Sequence, residues 1–146
     1  MAVVMRTPSR RAALDQMEEL LVFNAGRGGQ YRYVYVKELS SGGYEVGLLQ
    51  QKSTDKRLLR QEEIRKKLPF TTPKGWSLSI DDSVGLTYNH RSRKEVVNIF
   101  YVRDKDLRVT GASATVNTPK KKTVLVADVS EKRAYGVARK YMEDHP

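Results

Sequence analysis

The chain has 146 residues, and its 27 Lys and Arg residues outnumber its 17 Asp and Glu residues, for a net charge of +10. This length is typical of one domain, so we expect residues 1–146 to form a single domain with residues 1–7 flexible. The absence of cysteine excludes disulfide scaffolds, thiolate-bound zinc and cysteine nucleophiles. Without a membrane-length apolar run or a signal-peptide core, the sequence predicts an intracellular or virion-associated protein that is not secreted and has no membrane partner.

The first predicted element is a helix over residues 8–23. Thr7 or Ser9 is the expected N-cap, and Pro8 suits the first turn. Apolar residues recur at helical spacing along one side of this segment, which predicts that this side packs against a core. These residues are Leu14, Met17, Leu20 and Leu21.

A β-hairpin and a short helix come next. Residues 30–37 are rich in β-forming side chains, a Ser-Ser-Gly-Gly turn follows, and residues 44–51 return as the second strand. The start of the segment 52–68 is ambiguous, because Leu58 and Leu59 could end a short third strand. Residues 61–68 predict a helix, because acidic side chains precede basic ones in the order that suits the helix dipole.

The second half of the chain predicts strands joined by short turns and a closing helix. Alternating apolar and polar residues between turn sequences are typical of an antiparallel sheet. The run 95–103 is so apolar that we expect burial on both faces. The predicted strands are 76–80, 84–89, 95–103, 107–116 and 123–129, and Ser130 caps the last helix. The fold class is therefore α+β, with an antiparallel sheet or meander of about seven strands and an N-terminal, a central and a C-terminal helix.

Tyrosines on the first hairpin suggest a binding surface. Alternate residues of a strand share one face, and aromatic rows on a sheet that are rimmed by cations stack unpaired bases. The predicted stacking residues are Tyr31, Tyr33, Tyr35 and Tyr44. The alternative is that these rings form part of the core, although Val34 and Val36 on the opposite face can supply apolar surface instead.

Basic residues cluster at four places in the chain: 10–11, 65–67, 90–94 and 120–122. Two of these clusters lie at predicted hairpin tips, which project from a sheet and can straddle a phosphate backbone. The alternative is an ordinary solvated surface. The predicted phosphate-binding residues are Arg27, Arg32, Lys37, Arg91, Arg93, Lys94, Lys120, Lys121 and Lys122.

These patterns predict a non-enzymatic protein that binds single-stranded or structured RNA or DNA and needs no cofactor and no metal. One alternative is an assembly subunit of a ribonucleoprotein or viral particle, in which the first helix contacts a protein partner or a second copy. A second alternative is a magnesium-dependent nuclease that uses Asp81 and Asp82. Those two residues also form a good turn sequence, and the chain contains no recognised catalytic signature.

Overall fold

A computed structural model describes residues 2–25, 32–50, 61–81 and 84–146, which form eight strands and three helices. The elements are β1 (Ala2–Thr7), α1 (Arg10–Ala25), β2 (Arg32–Glu38), β3 (Tyr44–Gln50), α2 (Gln61–Lys67), β4 (Trp76–Asp81), β5 (Gly85–His90), β6 (Val96–Arg103), β7 (Val109–Asn117), β8 (Lys122–Val129) and α3 (Glu131–Asp144). The predicted α+β class is confirmed. The strands form two antiparallel sheets, a three-stranded sheet ordered β1-β3-β2 and a five-stranded meander ordered β4-β5-β6-β7-β8.

The first strand corrects the prediction that residues 1–7 are flexible. Residues 2–7 form β1, which pairs antiparallel with β3 and brings the number of strands to eight. Val3 and Val4 are 44% and 43% exposed, so backbone hydrogen bonds rather than burial hold this strand in place. A strand that is held by backbone pairing and buries few side chains has no regular alternation of apolar and polar residues by which the sequence could predict it.

Helix α1 begins at Arg10, two residues after the predicted start at residue 8, so Pro8 precedes the helix and does not lie in its first turn. The Oγ of Ser9 accepts a hydrogen bond from the backbone N–H of Ala12 at 3.1 Å, so Ser9 is the N-cap. Thr7, the other expected cap, instead binds the residue before the helix: its Oγ1 accepts a hydrogen bond from the backbone N–H of Ser9 at 3.2 Å.

Strand β6 separates two apolar cores, which confirms its predicted burial on both faces. Val97, Ile99 and Tyr101 pack into the core beneath α3, together with residues of α2 and the other strands of the five-stranded sheet. Phe100 and Val102 point the other way and pack against α1 and the three-stranded sheet. The predicted apolar side of α1 belongs to this second core, with Met17 and Leu21 buried and Leu14 and Leu20 partly buried.

Helix α3 closes the five-stranded sheet. The Oγ of Ser130 accepts a hydrogen bond from the backbone N–H of Arg133 at 3.2 Å, which confirms the predicted cap. Ala134, Ala138 and Met142 are fully buried against the sheet. None of the described helices combines the length and the apolarity that crossing a membrane requires.

Candidate nucleic-acid interface

Two basic loops lie at the same end of the five-stranded sheet. In an antiparallel meander the β5–β6 and β7–β8 connections share one end, and the β4–β5 and β6–β7 connections share the other. A groove of about 390 Å³ runs between the two loops, and its lining includes Lys94 on one side and Pro119 on the other. Strand spacing of about 4.8 Å places the two hairpins about 10 Å apart. We call residues 91–95 and 118–121 the basic loop pair.

His90 orders the β5–β6 loop. Its Nδ1 accepts hydrogen bonds from the backbone N–H groups of Ser92 at 3.1 Å and Arg93 at 3.0 Å. Both contacts require Nδ1 without a proton, so the ring carries its hydrogen on Nε2. This ring also lies nearly perpendicular to that of Trp76, with ring centroids 5.0 Å apart. His90 therefore positions a loop that carries three exposed cations, Arg91, Arg93 and Lys94.

Arg93 is mainly a structural residue of this loop. Its guanidinium donates hydrogen bonds to the backbone oxygens of His145 at 2.9 Å and Pro146 at 3.1 Å, and it pairs with Glu95 at 3.5 Å. These contacts tie the loop to the end of α3. Arg91 and Lys94 form no ion pair with any described residue, which leaves their charges available to a ligand.

The β7–β8 loop is a tight turn built around Thr118. The N–H of Thr118 donates a hydrogen bond to the backbone oxygen of Lys121 at 3.0 Å, and Pro119 occupies the position that proline favours in such turns. Lys120 and Lys121 are exposed and form no ion pair within the described part of the chain. Lys122, the next residue, pairs with Glu18 of α1.

A polar sheet face adjoins the basic loop pair. Directly paired residues of an antiparallel sheet point to the same side. The row nearest the loops is Ser77, Asn89, Val96, Asn117 and Lys122, and the next row is Ser79, Thr87, Asn98, Thr115 and Val124. We call the residues of these two rows that are not buried the polar face, which leaves out Thr115 at 1% exposure. Sequence reasoning missed it, although the alternation of Ser, Thr and Asn with buried apolar residues is visible in β4, β5, β6 and β7.

The tyrosine row does not form the exposed surface that its stacking role requires. Tyr33 is 3% exposed and Tyr35 is fully buried, so the assignment of these two rings to base stacking is wrong. Residues at the end of β6 cover them. The Arg103 guanidinium lies 5.4 Å from the Tyr33 ring centroid, and the Lys105 ammonium lies 5.1 Å from that of Tyr35.

Tyr44 does not belong to the same patch either. Tyr33 and Tyr35 pair with Leu49 and Gly47, whereas Tyr44 shares the opposite face of β3 with Val46. It is partly buried there, 5.6 Å from the Arg10 guanidinium. The prediction that Tyr44 extends the tyrosine row is therefore wrong, because strand alternation turns its ring toward α1.

The remaining predicted residues of the first hairpin lie apart from the basic loop pair or outside the described structure. Lys37 is exposed on β2, opposite Glu45. Glu45 is bound by Lys105 of the β6–β7 turn, at the far end of the five-stranded sheet. Tyr31 and Arg27 lie outside the described residues, as does the side chain of Arg32, so their assigned roles stay predictions.

Glu45 is a buried carboxylate with three donors. The hydroxyl of Tyr35 donates a hydrogen bond to its Oε2 at 2.8 Å, Arg6 Nε donates to its Oε1 at 3.0 Å, and Lys105 Nζ lies 3.2 Å from Oε2. Hydrogen bonding from Tyr35, then from Arg6, holds the pKa of Glu45 at about 2. Burial raises the pKa of Tyr35 to about 12. This cluster joins β1, β2, β3 and the β6–β7 turn.

The structure bears differently on the residues assigned to the two alternative functions, a nuclease and an assembly subunit. Asp82 and the side chain of Asp81 lie outside the described part of the chain, so the nuclease hypothesis stays untested. Among the described residues, no three His, Asp or Glu side chains are grouped so that they could hold a metal ion. The apolar side of α1, proposed as a partner-binding element, packs into the core.

Comparison with protein-family models, with curated protein sequences and with solved structures finds no match to this chain. The argument for a candidate interface therefore rests on the geometry and charge of the described residues alone.

Proposed function

We propose that this protein binds nucleic acid through the basic loop pair and the adjoining polar face. One observation carries the proposal. The meander brings two separate basic segments to one end of the sheet, where Arg91, Lys94, Lys120 and Lys121 are exposed and without carboxylate partners among the described residues. Unpaired cations grouped in this way are the usual means of binding a phosphate backbone.

The polar face supports a preference for unpaired strands. Ser77, Asn89 and Asn117 provide hydroxyl and amide groups beside the loops, and such groups can donate to or accept from the edges of bases. In a duplex these edges lie inside grooves, whereas in a single strand or a loop they are accessible to a sheet surface. Base contacts through this face take the place of stacking on the buried tyrosines.

The test measures binding as a function of salt. Fluorescence anisotropy follows the binding of labelled single-stranded RNA, single-stranded DNA and duplex DNA of equal length at several salt concentrations. We expect affinity to fall linearly with salt on logarithmic axes, with single strands bound more tightly than the duplex. Each lysine or arginine contact on a single strand contributes about 0.7 to this slope.

Two variants of equal net charge separate a local interface from general electrostatics. The interface variant combines Arg91→Ala, Lys94→Ala, Lys120→Ala and Lys121→Ala. The control variant combines Lys66→Ala, Lys67→Ala, Lys132→Ala and Arg133→Ala, which are exposed positions on α2 and α3. We expect the interface variant to reduce the salt slope by about 3 and the control to keep it nearly unchanged. Equal losses in both variants, or no salt-dependent binding by the parent protein, would overturn the proposal.

A further inference from the structure

A groove of about 280 Å³ lies between α1 and strands β7 and β8. Its walls are largely apolar, with Leu14 and Met17 from α1, Phe100 from β6 and Val124 from β8. This volume lies just below the range of about 300–1,000 Å³ that is typical of small-molecule sites, so the groove suits one small ring system and not a larger ligand.

The charges that line this groove cancel. Arg10 donates hydrogen bonds of 2.5 and 2.8 Å to the two oxygens of Asp128, and Lys122 pairs with Glu18. In all, the lining includes three cations, Arg10, Arg11 and Lys122, and three carboxylates, Asp15, Glu18 and Asp128. A charged ligand would compete with these existing ion pairs, whereas an uncharged ligand leaves them intact.

The backbone conformation of β8 positions Asp128 for its pair with Arg10. Asp128 has a φ of 52°, a left-handed backbone conformation that aspartate tolerates better than most residues, and its N–H donates to Ser113 Oγ at 3.1 Å. Between Ala112 and Thr115, β7 pairs with β8 in an irregular register. Bulges of this kind re-aim side chains, and this one directs the Asp128 carboxylate toward α1.

Thr115 supplies a hydrogen-bonding group that nothing in the described structure uses. The residue is 1% exposed and lines the groove, and its Oγ1 is closed to water and has no hydrogen-bond partner among the described residues, so a ligand reaches it only if the groove wall shifts. A buried hydroxyl without a partner is less favourable than a valine of the same shape. A ligand that completes this hydrogen bond gives a physical reason for threonine at this position.

We infer that this groove accepts one unstacked base of the bound nucleic acid strand, an inference that rests on the proposed function. A nucleobase is uncharged and planar, with apolar faces and a polar edge, which matches a largely apolar groove whose charges balance and whose wall contains one unsatisfied hydroxyl. Lys122 follows the β7–β8 loop directly and also lines the groove. A strand whose phosphates contact Lys120 and Lys121 therefore passes close to the groove, and a duplex would have to unpair a base to fill it.

Free nucleosides test the groove without phosphate contacts. In an NMR titration with adenosine, guanosine, cytidine and uridine, we expect backbone amide shifts confined to α1, β7 and β8, with at least one base preferred. Thr115→Val removes the hydroxyl, and loss of one hydrogen bond should weaken that nucleoside about five- to tenfold. Val124→Trp places a bulky ring beside the groove and should abolish the shifts.

Matched substitutions control for general effects of these changes. Thr123→Val changes an exposed threonine of β8, and Val3→Trp changes an exposed valine of β1. Both should bind nucleosides like the parent protein. Thr115→Val should unfold at the same or a higher urea concentration, because no described hydrogen bond is lost. A lower unfolding midpoint together with unchanged nucleoside affinity would make Thr115 a structural residue and overturn the inference.

The oligonucleotide experiment separates this inference from the proposed function. If oligonucleotides bind with a salt slope that depends on the basic loop pair, but no nucleoside shifts the groove amides and Thr115→Val has no effect, the base pocket is wrong and the proposed function stands. If no oligonucleotide binds, the proposed function fails, and the inference fails with it.

Discussion

The hydroxyl of Tyr35 donates a 2.8 Å hydrogen bond to Oε2 of Glu45, across the pairing of β2 with β3. The ring lies over Gly47, where an added Cβ would come within 2.4 Å of the hydroxyl oxygen. Arg6 and Lys105 reach the same carboxylate from β1 and from the β6–β7 turn. Tyr35 is therefore a structural residue at the junction of the two sheets, and it is unavailable to a base.

Replacing Tyr35 with phenylalanine tests this structural role. The change removes one hydrogen bond to a charged, buried acceptor, so we expect the free energy of unfolding to fall by about 2 kcal/mol. Urea denaturation followed by circular dichroism measures it. Lys37→Ala, at an exposed position of the same strand, should change stability by less than about 0.5 kcal/mol. Full stability of the Tyr35→Phe protein would show that the hydrogen bond to Glu45 does not stabilise the fold.

The free energy of unfolding should fall at low pH, because Glu45 becomes protonated. Hydrogen bonds from Tyr35 and then Arg6 keep the pKa of Glu45 at about 2, below its ordinary value of 4.5. Because the pKa is lower in the folded state, the ionised carboxylate stabilises the protein above pH 4.5, and this contribution is lost as the pH falls from 4.5 toward 2. Urea midpoints measured between pH 7 and pH 2 should fall across this window.

The Glu45→Gln variant checks the source of that pH dependence. It should be less stable than the parent protein at pH 7, and its stability should change less between pH 4.5 and pH 2. Glu38→Gln, at an exposed position of β2, serves as the control and should follow the parent curve. If Glu45→Gln kept the whole parental pH dependence, other carboxylates would have to account for it.

Gly47→Ala should destabilise the protein through Tyr35. The added methyl group would overlap the ring, and overpacking of this kind typically costs about 1–3 kcal/mol. In a Tyr35→Ala background the same substitution should cost much less, because the overlapping ring is absent. A double-mutant cycle measured by urea denaturation gives this coupling. Equal costs in the two backgrounds would show that the ring is not what excludes a side chain at position 47.

Arg93 and Lys94 are adjacent but should behave differently. Arg93 bonds the backbone oxygens of His145 and Pro146, so Arg93→Ala should lower the free energy of unfolding by about 1 kcal/mol. Lys94→Ala should leave stability unchanged and weaken oligonucleotide binding. Thermal denaturation and anisotropy separate the two effects. Unchanged binding by Lys94→Ala would remove that residue from the proposed interface.

Hydrogen exchange tests the unexpected first strand. The amides of β1 that pair with β3 should exchange more slowly than those of the exposed turn at 40–42. Exchange at the rate of an unstructured peptide throughout residues 2–7 would instead support the original expectation of a flexible segment.

Local patterning was a reliable guide to the elements of this protein. The predicted strand at 76–80 is β4 (Trp76–Asp81), and the helix predicted at 61–68 is α2 (Gln61–Lys67). Ser9 and Ser130 act as caps because a cap depends on a few neighbouring residues. Alternation placed Trp76 and Ile80 correctly on a core face. Signals of this kind are contained in short stretches of chain, so the sequence is enough to find them.

The candidate site depended more on contacts between distant segments. The sequence identified the basic clusters at 90–94 and 120–122, but the strand order of the meander decided that they share one end of a sheet. The same sequence signals suggested that Tyr33 and Tyr35 face a ligand, whereas Arg103 and Lys105 cover them.

By itself, then, the sequence determined the charge, the fold class and most element boundaries, because these follow from composition and from short-range periodicity. The tertiary structure alone decided which faces are covered and which loops meet. Tyr35 and Asn89 both lie on amphipathic strands, yet one is fully buried and the other exposed. The physical reason is that burial depends on what packs against a strand, and for Tyr35 that is a turn about seventy residues away along the chain.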